Sequence, residues 1–367
     1  MKIAYVALHL ERTIMGGGVG HKIQTQLHLW QELGHEARLF LHSPDALDFP
    51  THLATVFQYP PVAGPAAVRL PRREWRRSLA LNRLVHAVAE YRPDVIYLRY
   101  GMYALPLQNL FKIAPVVVEI NTNDVDEYRY RGMSYYFLNR LGRRQILGRA
   151  AGMVFLSREL AGLPNNQMFQ KPAVVIANGI DFNEYRPLPA PQNERPCLAM
   201  VATPGYAWHG VEKLVGLAQH FPELDVEVVG YGPEDLPAGI PGNLHLHGYL
   251  PHAAIQQVLR RVDVACGTFS LYKKNMKEAS PLKVREALGW GIPVLIGYTD
   301  TDLSGKDLEF ILEIPNREGN VSGNAAQIMA FIRKMQGQRA DRQRLIPLID
   351  QRPKEEKRLH FLMQITS

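Results

Sequence analysis

Two carboxylates, Glu278 and Glu286, stand in the stretch EASPLKVREALGWGIPV, with a helix start between them. Ser280 is expected as its N-cap, accepting hydrogen bonds from the first free backbone N–H groups. Pro281 then takes the first helical position, where a missing N–H costs nothing. The helix is expected to end at Gly289 and Gly291, before a strand over residues 292–296. Glu278 would lie in the loop before the helix and Glu286 about a turn and a half inside it. A helix N-terminus presents free donors and partial positive charge, which suits a phosphate. A carboxylate on either side of that phosphate could take the hydroxyls of two sugars, the geometry a nucleotide-sugar requires.

The elements around this stretch alternate. An apolar run over residues 2–8 leads to the glycines Gly16, Gly17 and Gly18, then to a helical segment near 21–33 and a strand over 36–41. This is the opening of a doubly wound sheet. The three glycines permit close backbone approach to a ligand. They lack the G-x-G-x-x-G spacing of a dinucleotide fingerprint, and His42 and Ser43 stand where an acid would close the second strand. Strand-like runs recur at 95–98, 116–120, 153–156 and 174–177. They recur again at 198–202, 226–229, 244–248 and 262–266, with helical stretches between. Such alternation predicts parallel sheets covered on both faces. The prolines Pro187, Pro189 and Pro191 mark a short, stiff crossover. The expected organisation is residues 1–180, residues 181–345, and a closing helix over 346–367 that returns to the first domain. Ligands are expected in a cleft facing the carboxyl ends of both sheets.

The chain has 367 residues, enough for two domains of ordinary size. Cys197 and Cys266 lie in apolar runs and are expected as buried thiols, not as metal ligands. No apolar run is long enough to span a bilayer, and the opening segment leads straight into a strand pattern, so a cytoplasmic setting is expected. The net charge of +7 is uneven. Residues 1–172 carry 21 Lys+Arg and 13 Asp+Glu, or +8; the remainder carries 21 and 22, or −1. Arginines cluster at Arg69, Arg72, Arg73, Arg76, Arg77 and Arg83, and again at Arg140, Arg143, Arg144 and Arg149. An anionic partner for this half is implied, a membrane surface or nucleic acid. Trp75, Leu79, Val85 and Val88 are expected to share an apolar side of one helix, which is equally the pattern of a helix packed on the sheet.

The stretch E-x7-E followed by G-x-P-V resembles the donor site of the retaining glycosyltransferases of family 4, which have the GT-B fold. Asn178-Gly179-Ile180-Asp181, followed by Tyr185-Arg186-Pro187, is similar to their interdomain signature. Trp208-His209-Gly210 is similar to the loop opening their second domain. The resemblance implies an α/β protein of two Rossmann-like domains. It implies transfer of a sugar from a nucleoside diphosphate to a glycan or lipid-linked acceptor, with no cofactor, no essential metal and no nucleic acid. Glu278 would contact the donor sugar and Glu286 the ribose. Lys283, in the first turn of the helix, would act on the phosphate with Ser280, Pro281 and Leu282. Tyr249 and Leu250 would approach the base.

Three positions depart from the family pattern. Thr203 and His209 replace the usual arginine and lysine, leaving phosphate neutralisation to a protonated His209, Lys213 and Lys283; His209 is equally read as a neutral donor or a packing residue. Asn121 stands near where relatives often carry a histidine close to the reacting sugar. Arg99, Glu119 and Asp124, at strand ends of the first domain, are the acceptor-side candidates. The alternatives are a catalytically silent nucleotide-sugar-binding subunit and a sugar-nucleotide epimerase of related fold. The motifs around Asn178 and Trp208 favour transfer over epimerisation.

Overall fold

The computed structural model describes every residue except Asp48, Thr51, Gly64, Pro65, Pro237 and Ala238, and every side chain but those of Thr13 and residues 66–71. Arg69 therefore falls outside the described side chains. The fold is α/β, with two units.

The first unit comprises residues 1–176 and 352–367. Its strands are β1 (Lys2–Leu8), β2 (Glu36–Ser43), β3 (Ala54–Gln58), β4 (Val95–Arg99), β5 (Val116–Ile120), β6 (Gly152–Phe155) and β7 (Ala173–Val175). They form one parallel sheet in the order β3-β2-β1-β4-β5-β6-β7. Its central strands are apolar on both faces because helices cover both. Ile3, Tyr5, Ile23, Trp30, Leu39 and Tyr97 pack together there. Leu359, Phe361 and Leu362 of the last helix, Gln351–Thr366, join the same core. Gly152 makes room for that helix, since a Cβ there would lie 3.0 Å from Phe361.

The second unit comprises residues 177–351. Its strands are β8 (Cys197–Val201), β9 (Asp225–Val229), β10 (Leu244–Leu246), β11 (Val264–Cys266), β12 (Glu278–Ala279), β13 (Val294–Ile296), β14 (Thr299–Asp300) and β15 (Ile311–Glu313). Six form a parallel sheet in the order β10-β9-β8-β11-β13-β15, while β12 and β14 pair separately. The strand order reverses at β1/β4 in one sheet and at β8/β11 in the other, the places where such sheets bind ligands. Cys197 and Cys266 are buried free thiols.

The long arginine-rich helix, Ala66–Tyr91, departs from expectation. Val85 and Val88 are buried with Leu81 and Leu84, but Trp75 and Leu79 are exposed. The four do not share a side. At about 100° per residue, positions 75 and 79 lie roughly 80° to 180° around the helix from 85 and 88.

Candidate functional site

In the second unit the helix after Glu278 spans Leu282–Gly289, with Pro281 as its N-cap. Ser280 does not cap it. Its Oγ accepts the backbone N–H of Asn178 at 3.1 Å, and its carbonyl accepts Asn178 Nδ2 at 2.7 Å. Pro281 is in extended backbone and its carbonyl accepts Val284 and Arg285 N–H, so the amides of Leu282 and Lys283 occupy the first turn. These are the donors that a helix start leaves without an intrahelical partner.

Glu278 is not in a loop. It sits in β12, nearly buried, opposite Thr299 of β14. Backbone bonds hold that register, Thr299 N–H to the Lys277 carbonyl at 2.9 Å and Thr301 N–H to the Ala279 carbonyl at 3.2 Å. Strand β14 is anchored by Arg285, a fully buried residue the sequence offered little reason to single out. Its guanidinium donates two 2.8 Å bonds to Asp300 of β14, one of 3.2 Å to Asp302, and one of 2.9 Å to the carbonyl of Asn178. Helix, β14 and the Asn178-Gly179-Ile180 segment are thereby joined. Gly289 completes the junction, since a Cβ there would come within 2.7 Å of Ile180 Cδ1. Its only sequence signal was an arginine beside Glu286, on the side of the helix facing the core. Glu286 itself is half-buried, one turn on from Lys283.

The loop after β8 carries Thr203, Trp208 and His209. Its path is set by two glycines with positive φ. Gly230 (φ +102) lies so close to Ala202 that a Cβ would sit 1.9 Å from its carbonyl oxygen. Gly210 (φ +74) would place a Cβ 2.8 Å from Ser270 Oγ. The carbonyls of Trp208 and His209 accept the N–H groups of Ser270 and Phe269, both at 3.0 Å. This ties the loop to the one after β11.

Three bases were expected to serve the phosphate, and they divide. Lys283 Nζ lies 3.5 Å from Thr203 Oγ1; burial pushes its amine down to about 8, against the pull of the Glu286 carboxylate. Burial, with Lys283 and Lys274 adding, holds the His209 imidazole down near 3. It is neutral at pH 7 and can donate a hydrogen bond but contributes no cation, contrary to the protonated role. Lys213 is already committed. Its ammonium donates to Asn320 Oδ1 at 2.6 Å and to the carbonyls of Phe269 at 3.0 Å and Arg317 at 3.3 Å. All three of its donors are used, so it fastens loops and does not reach for a phosphate. Tyr249 projects into solvent beyond β10, and Leu250 is half-buried beside it.

In the first unit the glycines are placed differently from expectation. A short helix, Arg12–Met15, intervenes after β1, and Gly18 opens the helix Gly18–Glu32 with Gly17 as N-cap and Gly16 just before it. None of the three has a left-handed φ. The close approach belongs to Gly20, where a Cβ would lie 1.9 Å from the Met15 carbonyl oxygen.

The acceptor-side candidates also separate. Glu119, at the end of β5, is fully buried. It accepts Lys22 Nζ at 2.7 Å and Arg99 at 3.4 Å, with Arg358 of the last helix at 4.0 Å. Burial would raise its carboxyl, but these three cations outweigh that and hold it at about 2. Asp124 is buried too, paired with Arg143 and accepting Asn139 Nδ2 at 2.6 Å. Neither carboxylate is open to a ligand, so both leave the acceptor role. Arg99 and Asn121 are half-buried at the carboxyl edge, joined by a 2.9 Å bond from Arg99 to Asn121 Oδ1.

A constellation unforeseen from sequence adjoins them. His9, directly after β1, has φ +57, a strained backbone for a non-glycine residue. Its Nε2 accepts Arg77 at 2.6 Å and its Nδ1 meets the Tyr59 hydroxyl at 3.0 Å. Burial and the nearby Arg77 hold its imidazole neutral. Arg77 is steered by Glu74 at 3.0 Å.

Asp-x-Asp triplets occur at Asp124–Asp126 and Asp300–Asp302. The first aspartate of each is taken by a buried arginine, Arg143 and Arg285 respectively. Among the described residues no group of His, Cys, Asp and Glu is arranged to hold a metal ion, and no helix is long and apolar enough to cross a membrane.

Residues 17–179 match the family described as the glycosyl transferase 4-like domain. No curated protein matches the chain in sequence. Among solved structures, sucrose-phosphate synthase from Thermosynechococcus elongatus is similar over 100% of this chain and 99% of its own, at TM-score 0.69 and 14% identity. The lipopolysaccharide outer core galactosyltransferase WaaB covers 99% of each chain at TM-score 0.63 and 13% identity. HepE from Anabaena, solved with UDP-glucose, covers 98% of this chain and 99% of its own at TM-score 0.64 and 14% identity. The chain thus has the GT-B fold, and its residues 17–179 match the glycosyl transferase 4-like domain.

Proposed function

We propose that this protein is a retaining, metal-independent hexosyltransferase that moves a sugar from a nucleoside diphosphate, with UDP the first candidate, to a glycan or lipid-linked acceptor of the cell envelope. The observation that carries this reading is the helix start at Pro281, flanked by Glu278 and Glu286, with Lys283 and the neutral His209 at its mouth. The bond from the anomeric carbon to the diphosphate oxygen breaks and its electron pair leaves with the diphosphate, while the acceptor hydroxyl oxygen bonds to the anomeric carbon on the same face and its proton passes to the departing diphosphate oxygen. The amides of Leu282 and Lys283, the Lys283 ammonium and a hydrogen bond from His209 would stabilise that charge, which fixed donors do at no reorganisation cost. Glu278 takes the sugar hydroxyls and Glu286 the ribose diol; Tyr249 and Leu250 lie beside the base. In the first unit Asn121 and Arg99 receive the acceptor, in place of Glu119 and Asp124. The UDP and UDP-glucose complexes of HepE support a uridine donor, and the proposed setting is the cytoplasmic face of a membrane.

The test is calorimetry with UDP, followed by hydrolysis of labelled UDP-sugars with and without EDTA. A charged hydrogen bond contributes about 1.5–3 kcal/mol. Glu286→Ala should therefore weaken UDP roughly 10- to 150-fold while the circular dichroism spectrum stays unchanged. Unchanged affinity would remove Glu286 from the site. Saturable binding with no turnover would indicate a silent binding subunit, and turnover abolished by EDTA would refute metal independence.

A further inference from the structure

The helix Met133–Leu147 packs one side on the first unit through Tyr136, Asn139, Arg143, Ile146 and Leu147. On a surface helix the opposite side is ordinarily polar. Here it carries Met133, Phe137, Leu138 and Leu141, all more than half exposed. Arg140 and Arg144 stand one turn apart along its margin, both exposed. The apolar face continues across a hollow of about 460 Å³ lined by Leu138, Leu141, Tyr103 and Met102, with Arg77 and Glu74 on its far wall. Those last two belong to the helix Ala66–Tyr91, whose outer side bears exposed Trp75 and exposed Arg72, Arg73 and Arg76. Monomeric proteins rarely leave so continuous an apolar patch uncovered.

We propose that this face, centred on Phe137, Leu138 and Leu141, is a docking surface for an anionic lipid bilayer. The apolar side chains enter the interface, and the flanking arginines meet the headgroup phosphates. Charge selects this occupant. Of the six arginines in residues 129–149, Arg129, Arg131 and Arg143 pair with Asp126, Glu127 and Asp124. Exposed Arg140, Arg144 and Arg149 carry the local positive excess, and the segment itself holds no Asp or Glu. A second copy of the chain would bring like-charged arginines together across a two-fold axis. An anionic surface instead neutralises them. Apolar and aromatic centres with arginine margins are the pattern of helices lying in a membrane plane. The surface differs from the one the sequence suggested. Trp75 contributes at its edge, Val85 and Val88 do not, and the centre lies on another helix. The proposal deepens the lipid-linked acceptor reading, but its test reads lipid binding without sugar transfer, so either can fail alone.

The full chain is sedimented with phosphatidylcholine vesicles with and without phosphatidylglycerol. The bound fraction should rise with phosphatidylglycerol and fall with salt. The triple variant Phe137→Ser, Leu138→Ser, Leu141→Ser should lower partitioning about tenfold or more. Arg140→Ser with Arg144→Ser should flatten the dependence on phosphatidylglycerol. Both variants should keep the circular dichroism spectrum and UDP affinity of the parent. A parent chain that stays in the supernatant at low salt overturns the proposal. So does a triple variant that partitions like the parent. Light scattering that shows a parent dimer dissolved by the triple substitution assigns the face to a second copy, and overturns it as well.

Discussion

At the scale of single residues, the candidate site depends on how burial redistributes charge. Lys283 and His209 occupy neighbouring ground, yet only the lysine carries a charge near neutral pH. With its amine held at about 8, well below the usual lysine value, Lys283 is mostly protonated at pH 7 and mostly neutral by pH 9. Its pull on a diphosphate is present below pH 8 and lost as pH rises through it. Affinity for UDP, measured by calorimetry from pH 7 to 9, should therefore fall. In Lys283→Arg, which stays charged throughout, the fall should be much reduced. Identical profiles for the two proteins would remove Lys283 from the phosphate site. Lys213 shows the opposite outcome of burial: three acceptors surround its ammonium and leave no donor for a ligand.

At the scale of elements, the second unit is joined where a helix, a two-strand ribbon and an incoming loop meet on Arg285. The helix Leu282–Gly289 has only eight residues and no side-chain cap, so its stability comes from packing and from this junction. Arg285→Ala would leave Asp300 buried without its partner, a loss of about 3–5 kcal/mol. Urea unfolding should show that drop, and UDP binding should weaken as β14 loses its anchor and Glu278, paired opposite Thr299, moves with it. A variant as stable as the parent would mean that the ion pair is replaceable and does not position the site. Asn178 acts at the same junction, which gives the Asn-Gly-Ile-Asp motif a physical role within its own unit: it closes onto Ser280 and Arg285.

At the scale of the molecule, the last helix is the element whose place in the chain and place in the fold differ most. It follows the second unit and belongs to the first. Leu359, Phe361 and Leu362 are almost wholly buried there, each side chain contributing about 1.5–3 kcal/mol. Glu355 accepts Trp30 Nε1 at 2.9 Å and Gln26 Nε2 at 3.2 Å. Their combined loss rivals the about 5–15 kcal/mol that holds an ordinary domain together. A chain ending at Gln351 should therefore lose the folded first unit while the second still binds UDP. Limited proteolysis with a UDP titration would show it. A protease-resistant first unit in the shortened chain would contradict this account.

Much of this protein is determined by local sequence. Strands β1, β4 and β5 are continuous apolar runs that only a sheet buried on both faces accommodates, and they are legible without coordinates. The helix start at Pro281 and the stop at Gly34, with φ +84, are equally local. The family resemblance also rests on short motifs whose order and spacing survive in the primary structure.

Tertiary structure decided the partners. Ser280 has the chemistry of an N-cap, but Asn178, 102 positions away, takes its hydroxyl. Glu119 and Asp124 look like strand-end ligands until Lys22, Arg99 and Arg143 arrive from other elements and enclose them. Ribbon β12–β14 is too short to leave a periodic signal, and its β14 side is anchored by Arg285 from the helix. Trp75 and Val85, about 80° apart around the helix, are separated when packing buries Val85 and leaves Trp75 outside. Periodicity and turn chemistry act over a few residues and can be read directly. Burial, charge pairing and exposure depend on which distant segment packs alongside, and that is set only when the chain closes on itself.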